Sequence, residues 1–389
     1  MIRKTAVLLP MLLLLACFLI HQPVHAAGEL RVLDSSAEAD FPGRLTFRLS
    51  AESDNDITDI RLCYRIERID FARIVSEAHI DFVPENRISL EWSLEMLKIG
   101  GLPPGSSLEY WWRIKDSDGK MITTPPSTIV FDDNRYQWES LTEGEVTLYW
   151  YRGDESFAAD LMQAAIQALE RLEQYTATNL EQPVELFIYA SASDLQGSMI
   201  YPQEWTGGVA FTRYGIMAIG ISPDNIEWGK RAIAHELTHL VIHQVTLNPY
   251  NEIPTWLDEG LAVRSEGPLS GSLSTYLDYA IEAEDFISVQ SLSSPFSAYA
   301  GEAALSYAES YSLVDFLIET RGEDKMHELL YTFREGSTYD GALKEVYSFD
   351  MDGLDEEWRE WLVNSGEPEE EQDQIPDQDT NVKQSSEDI

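Results

Sequence analysis

The chain has 389 residues, with 68 Asp and Glu against 27 Lys and Arg, which gives a formal charge of −41 at pH 7. Because phosphates are bound by clustered Lys and Arg, this balance argues against nucleic acid or an anionic membrane surface as the main partner. A hydrophobic content of 44% supplies enough apolar side chains for packed cores, which excludes a wholly disordered chain, and the length predicts two or three domains.

The first 26 residues have the pattern of a secretory signal peptide. Arg3 and Lys4 precede an apolar run at residues 5–20, and small residues at 24–26 form a cleavage pattern. We therefore expect export, cleavage near Ala26, and a secreted or envelope-associated, extracytoplasmic protein. Two alternatives stay open at this point, an uncleaved membrane anchor and a lipid attached at Cys17, and they are the only membrane contacts that we expect.

The cysteine count restricts the kind of metal site. Only Cys17 and Cys63 occur, which is too few for a disulfide framework or a Cys-based zinc ribbon. If Cys17 leaves with the signal peptide, Cys63 is best interpreted as a small core residue. Any metal ion must then be bound by His and carboxylate side chains.

Residues 27–135 predict an all-β domain. Short alternating or β-branched runs are separated by Pro, Gly and Asp, a pattern typical of an immunoglobulin- or fibronectin-like sandwich. Trp92, Trp111 and Trp112 are expected to pack in the core or on a sheet face. The seven predicted strands lie at residues 30–33, 44–50, 57–66, 78–82, 88–94, 108–115 and 128–132.

Residues 136–366 predict a second, α+β domain. An amphipathic helix at 156–175 is followed by a strand at 184–190 and a hairpin at 207–221, after which helical periodicity dominates. Most of the acidic excess lies in this domain. Residues 367–389 contain almost nothing apolar, and we interpret them as a disordered acidic tail.

A His-Glu-Leu-Thr-His motif at residues 235–239 lies within a helical run at 226–245. Because positions four apart share one helix face, His235 and His239 can both point an imidazole at one zinc ion. Glu236 then lies where a carboxylate can reach metal-bound water without binding the metal itself, which is the general-base position of a zinc peptidase.

A second helical segment offers the third ligand. It begins with Pro-Thr-Trp-Leu-Asp-Glu-Gly-Leu-Ala at residues 254–262 and contains two candidate carboxylates, Asp258 and Glu259. Their side chains point roughly 100° apart on a helix, so both are not expected to bind one ion. His243 lies four positions beyond His239, but a straight helix does not easily place three imidazoles around one ion, so we interpret it as structural.

The two motifs together resemble the gluzincins, especially the bacterial peptidase MA-like group, and the spacing to Glu259 is similar to that of thermolysin. The resemblance covers residues 140–363 and implies a zincin-like peptidase fold. It also implies one zinc ion per chain, bound by His235, His239 and Glu259, with Glu236 as the base. The Trp-Leu-x-Glu-Gly-x-Ala frame is the reason to choose Glu259 over Asp258.

The same resemblance suggests two further site elements. Gluzincins related to aminopeptidase N stabilise the oxyanion with a downstream Tyr, for which Tyr307 is the match and Tyr311 the next candidate. The segment 207–211, which includes Gly208, Val209 and Ala210, resembles the edge strand that pairs with substrate, although an ordinary hairpin strand explains it equally well. The amino-terminus-binding Gly-x-Met-Glu-Asn segment has only a partial match at residues 215–219, which makes exopeptidase action doubtful.

Three functional hypotheses follow. The first is a secreted zinc metallopeptidase that hydrolyses peptide bonds in peptides or proteins. The acidic excess around the site favours cationic or neutral substrates over acidic ones. The second is a cell-surface binding or adhesion protein in which the zincin-like domain is not catalytic. The third interprets the acidic surface as an adaptation to high salt.

Overall fold

The fold is described from a computed structural model, which covers residues 29–202 and 206–365. The predicted signal peptide with Cys17 and the predicted acidic tail lie outside the described residues. Within the described part of the chain, no helix combines the length and the apolar character needed to cross a bilayer.

The N-terminal region forms one seven-stranded antiparallel sheet built around a very long strand. Its strands are β1 (Arg31–Asp40), β2 (Arg44–Ile66), β3 (Ser76–His79), β4 (Glu85–Glu95), β5 (Ser106–Asp116), β6 (Met121–Thr123) and β7 (Ser127–Phe131). The first half of β2 pairs with β1 and β4, and its second half pairs with β3 and β5.

Two strand predictions for this region were wrong. The runs at 44–50 and 57–66 are one strand, because the turn-forming residues between them are accommodated as an irregularity in the register without ending the strand. The short strand β6 was not predicted.

Both halves of β2 supply side chains to one core, which also contains the fully buried Trp112. Trp92 packs between Phe47 and Tyr64, and Trp111 is partly buried. The immunoglobulin- or fibronectin-like assignment stays a prediction.

The second sheet has five strands in the order β11-β12-β10-β9-β8. They are β8 (Glu139–Glu143), β9 (Val146–Trp150), β10 (Val184–Tyr189), β11 (Gly208–Phe211) and β12 (Ile216–Gly220). The three central strands are parallel, whereas β8 and β11 run antiparallel to their neighbours. Among the described residues, β11 pairs only with β12 and is an edge strand. The predicted domain boundary at 135/136 falls between the two sheets.

Helices dominate the rest of the chain, so a sheet-rich N-terminal region precedes a largely helical C-terminal part. The helices are α1 (Met96–Ile99), α2 (Glu155–Thr176), α3 (Ala192–Gln196), α4 (Ile226–Val245), α5 (Thr255–Ser265), α6 (Gly271–Ala283), α7 (Val289–Leu292), α8 (Ala300–Arg321), α9 (Glu323–Arg334), α10 (Tyr339–Tyr347) and α11 (Met351–Ser365).

Close packing of α5 between α4 and α8 positions the site. Leu237 and Leu240 of α4 pack on the second sheet, so the histidine face of this helix is turned toward α5. α5 then meets α8 at Gly260, where a Cβ atom would stand only 2.3 Å from the carbonyl oxygen of Ser310. Any larger residue at 260 would push the two helices apart, and with them the side chains at 259 and 307.

Candidate metal centre and active site

The site is assembled on two consecutive helices, α4 and α5. His235 and His239 lie one turn apart on α4, with ring centroids separated by 5.0 Å. Glu259 on α5 faces both of them, because its Oε2 atom lies 3.3 Å from Nε2 of His235 and 3.6 Å from Nε2 of His239. These three side chains form one of two groups in the described residues that could hold a metal ion.

The Oε2 atom of Glu259 provides a test of whether a metal fits. It is buried and accepts no hydrogen bond of good geometry within the described residues. Tetrahedral ligands about 2.0–2.1 Å from a zinc ion stand roughly 3.4 Å apart, which is the spacing of Oε2 from the two Nε2 atoms. Two imidazoles and one carboxylate, with a fourth position left for water, also match the donor set of a catalytic zinc site.

Asp258 lies on the outer side of this group. Its Oδ1 atom is 2.9 Å from Nδ1 of His239, and its Oδ2 atom is 3.1 Å from Nε2 of His243. These three residues are the second group that could hold a metal. Because Nε2 of His239 faces Glu259, the contact at Nδ1 puts Asp258 in the position that an orienting carboxylate commonly takes behind a metal-binding histidine.

His235 has a matching orienting partner in Glu266, which the sequence analysis missed. The Oε1 atom of Glu266 lies 2.9 Å from Nδ1 of His235. Arg231 donates to the other oxygen, Oε2, at 3.0 and 3.1 Å. A usable signal existed, since Glu266 follows Glu259 by seven positions, about two helical turns. The C-terminal end of α5 is held against α4 by Ser265, whose hydroxyl donates to the carbonyl of Ala234.

The carboxylates control the electrostatics of the histidines. Burial lowers the pKa of His239, but Asp258 and Glu259 outweigh it and raise the pKa to about 9. Burial likewise lowers the pKa of His235, but Glu259 and Glu266 outweigh this effect and raise the pKa well above its usual value. Burial disfavours ionised Asp258, yet His239 and His243 hold its pKa far below the ordinary range. The pocket thus favours positive charge between its carboxylates.

Glu236 points from α4 toward the edge strand β11. The backbone N–H of Ala210 lies close enough to this carboxylate to lower its pKa slightly. A Cβ atom on Gly208 would stand 2.6 Å from Oε1 of Glu236, so a glycine is needed there for the carboxylate to reach this position. Burial raises the pKa of Glu236, as does Glu259, while His235 and His239 act in the opposite direction.

The predicted residues outside the two motifs fall in different places. Tyr307 lies next to the site, with its ring 6.1 Å from that of His235 and 5.2 Å from that of Phe296. Burial and the surrounding carboxylates raise its pKa, so its hydroxyl keeps its proton. Val209 lies between Gly208 and Ala210 on β11. Residues 216–219 of the partial Gly-x-Met match belong to β12, which is paired on both sides and presents no free edge.

Solved structures with similarity to the chain include zinc peptidases. An M1 zinc metallopeptidase from Deinococcus radiodurans has 12% identity and a TM-score of 0.35, over 88% of this chain and 96% of that one. Legionella pneumophila aminopeptidase A in complex with aspartic acid has 12% identity and a TM-score of 0.40, over 85% and 50%. Yeast LTA4 hydrolase in complex with bestatin has 12% identity and a TM-score of 0.33, over 84% and 63%.

The chain spans only half to about two thirds of the length of the last two structures. It spans 28% of OgpA from Akkermansia muciniphila, with 8% identity and a TM-score of 0.21 over 28% of this chain. No curated protein sequence gives a significant match.

The model of the Peptidase MA superfamily matches residues 164–364, slightly more than half of the chain, and this range includes α4, α5 and α8. The chain therefore belongs to the Peptidase MA superfamily.

Proposed function

We propose that the protein is a secreted, zinc-dependent peptidase of the gluzincin type. The observation that carries this proposal is the convergence of Nε2 of His235 and Nε2 of His239 on the unpaired Oε2 atom of Glu259. These three residues would bind one zinc ion, which supplies a Lewis acid when it is present. Asp258 is assigned to the orientation of His239, and Glu266 to that of His235.

The residues of the chain divide the remaining chemistry between them. Glu236 would take a proton from the attacking water and pass it to the leaving amine nitrogen, a role that its raised pKa supports because a general base works best near the ambient pH. The protonated hydroxyl of Tyr307 would donate a hydrogen bond to the developing oxyanion. Gly208, Val209 and Ala210 would pair with the backbone of an extended substrate along the free edge of β11.

The acidic surroundings and the predicted signal peptide complete the proposal. We expect neutral or cationic peptides to be preferred over acidic ones at low salt, because the charge of the chain repels carboxylates. We also expect the mature protein outside the cytoplasm, where its substrates would be peptides or proteins of the surroundings.

The test pairs metal analysis with cleavage of casein by the wild type and by Glu236→Gln. We expect one zinc per chain in both proteins and a loss of cleavage in the variant of about 10²–10⁴-fold, the usual contribution of general acid-base catalysis. A variant that keeps zinc and cleaves as fast as the wild type would contradict the role of Glu236. Full zinc occupancy without cleavage of any peptide would favour a binding or adhesion protein.

A further inference from the structure

We call the space along α4 and β11 the cleft; it has two distinct ends, because α4 and β11 run side by side. At one end, the indole of Trp228 lies against Gly207, with two ring atoms 3.2 Å from where a Cβ of that glycine would stand. In the middle, Glu236 meets the strand at Gly208 and Ala210. At the other end, His243 lines a narrow crevice together with Thr212 and Arg213 of the turn that follows β11.

A loop of the N-terminal sheet reaches this far end. The backbone N–H of Ile69 donates to the carbonyl oxygen of Arg213 at 2.7 Å, and Ile69 also lines the crevice beside His243. One residue earlier, the guanidinium of Arg68 stacks over the ring of Tyr214 at 5.2 Å. The segment 67–75, which we call the N-terminal loop, therefore continues the wall of the cleft beyond the edge strand.

The N-terminal loop borders a groove of about 750 Å³. Gln182 and Tyr214 of the second domain line the groove together with residues of the N-terminal region, including Ile99 of α1. Three apolar side chains of the loop are exposed, with Phe71 at 51%, Ile74 at 63% and Val75 at 49%. Clustered apolar exposure of this kind marks an interaction surface.

The charges at the groove are nearly balanced, in contrast to those of the chain as a whole. Arg65, Arg68 and Arg73 line it together with Glu67 and Asp70, whereas the chain carries a charge of −41. Arg65 is also paired with Glu109 at 3.0 Å. The groove therefore lacks the acidic excess of the remaining surface, so its charges do not select cationic over neutral side chains.

We propose that the groove binds the flank of an extended polypeptide substrate through apolar side chains, so that the protein acts as an endopeptidase on unfolded chains. This inference rests on the proposed function. The occupant is a peptide because the groove continues the line of β11, whose free edge pairs with extended backbone. A chain bound along that edge passes Arg213 and enters the groove, where Phe71 and Ile74 contact its side chains.

The experiment measures binding in the Glu236→Gln background, so that its result does not depend on cleavage. Fluorescence anisotropy gives the dissociation constants of labelled, dephosphorylated β-casein and of a pool of labelled hexapeptides from the casein sequence. We expect casein to bind at least tenfold more tightly than the pool. The double variant Phe71→Ser/Ile74→Ser should weaken casein binding about tenfold, roughly the effect of losing 1.4 kcal/mol of apolar contact, and should leave hexapeptide binding unchanged.

Two controls make the result specific. Val83→Ser removes an apolar side chain that is 74% exposed in the loop between β3 and β4 but does not line the groove, so casein affinity should not change. Ile74→Glu provides a second test of the loop, and thermal melting verifies that each variant is folded.

Unchanged casein affinity in both loop variants would overturn the proposal, as would an equal loss for casein and hexapeptides. If the loop variants instead lose binding to phosphatidylcholine vesicles, or lose self-association in sedimentation, the groove is a membrane or dimer surface and the proposal fails. Length-dependent casein binding together with a wild type that cleaves nothing would refute the peptidase function alone.

Discussion

Two carboxylates, one in each region, show how differently the same group is used. Asp116 at the end of β5 is 1% exposed and accepts hydrogen bonds from the Ser53 hydroxyl and from the amides of Asp118 and Lys120 at 2.9–3.1 Å. Within the described residues, one oxygen of Glu259 accepts no hydrogen bond and points at two imidazoles. A carboxylate whose oxygens accept several hydrogen bonds stabilises a turn, whereas one that points a free oxygen at two imidazoles offers a ligand atom for a metal ion.

The largest effect is expected from Glu259→Ala. Loss of the third ligand should lower zinc affinity by more than the ~10–100-fold typical of an orienting partner, and cleavage should become undetectable. Zinc content after dialysis and casein cleavage are the measurements. A variant that retains one zinc and full activity would show that Asp258 supplies the ligand instead.

Tyr307→Phe tests the oxyanion donor. Removing one such donor costs about 10²–10³-fold in turnover in well-studied hydrolases, so kcat should fall while KM and zinc content stay near the wild-type values. Tyr311→Phe is the matched control, since Tyr311 lies one turn further along α8. If Tyr307→Phe keeps the wild-type kcat, Tyr307 has no role beyond packing; a loss in Tyr311→Phe alone would assign the donor to Tyr311.

The orienting carboxylates should have smaller effects. Asp258→Asn and Glu266→Gln each leave the three proposed ligands in place but weaken the hold on one imidazole, so zinc affinity should fall about 10–100-fold. Competition with a chelator measures it. Glu227→Gln removes the same charge from an exposed position on α4 and should leave the affinity unchanged. An equal loss in Glu227→Gln would indicate a general charge effect.

Asp116→Ala should affect stability alone. Leaving the Ser53 hydroxyl and two amides without their acceptor should reduce the free energy of unfolding by about 1–3 kcal/mol. Denaturant unfolding measures the loss, while zinc content and cleavage per folded molecule should match the wild type. Reduced zinc binding in this variant would show that Asp116 affects the metal site as well as stability.

Glu309→Gln gives the smallest and a stabilising effect. Glu309 is fully buried and accepts a hydrogen bond from the amide of Ile287. Burial raises the pKa of its carboxyl to about 8. The amide of Ile287 and Arg359 oppose this shift, whereas Asp355 and Asp285 add to it. A carboxyl whose folded pKa lies above the unfolded one loses stability as pH rises from about 4.5 to 8. The variant should therefore melt a few degrees higher at pH 8 and not at pH 4, as thermal scans at both pH values would show.

Much of the site was predictable because its elements are local. The run at 226–245 corresponds to α4, and the Cα positions of His235 and His239 follow from helix geometry alone. The strand at 184–190 and the helix at 156–175 were also located to within one residue at each end. In the first domain, by contrast, the continuity of β2 was missed, because turn-forming residues inside a long strand read as a break when pairing partners are unknown.

The sequence by itself determined the residue types of the metal site, since two cysteines leave only His and carboxylates, and the helical spacing that puts two imidazoles on one face. Only the tertiary structure showed which of Glu259 and Asp258 faces Nε2 of the two histidines, because adjacent residues on a helix point in different directions and the packing of α5 on α4 sets their orientation. The same packing brought Glu266 to Nδ1 of His235 and Tyr307 beside its ring. The contact of Ile69 with Arg213 joins residues that are far apart in the chain, and no local pattern specifies it.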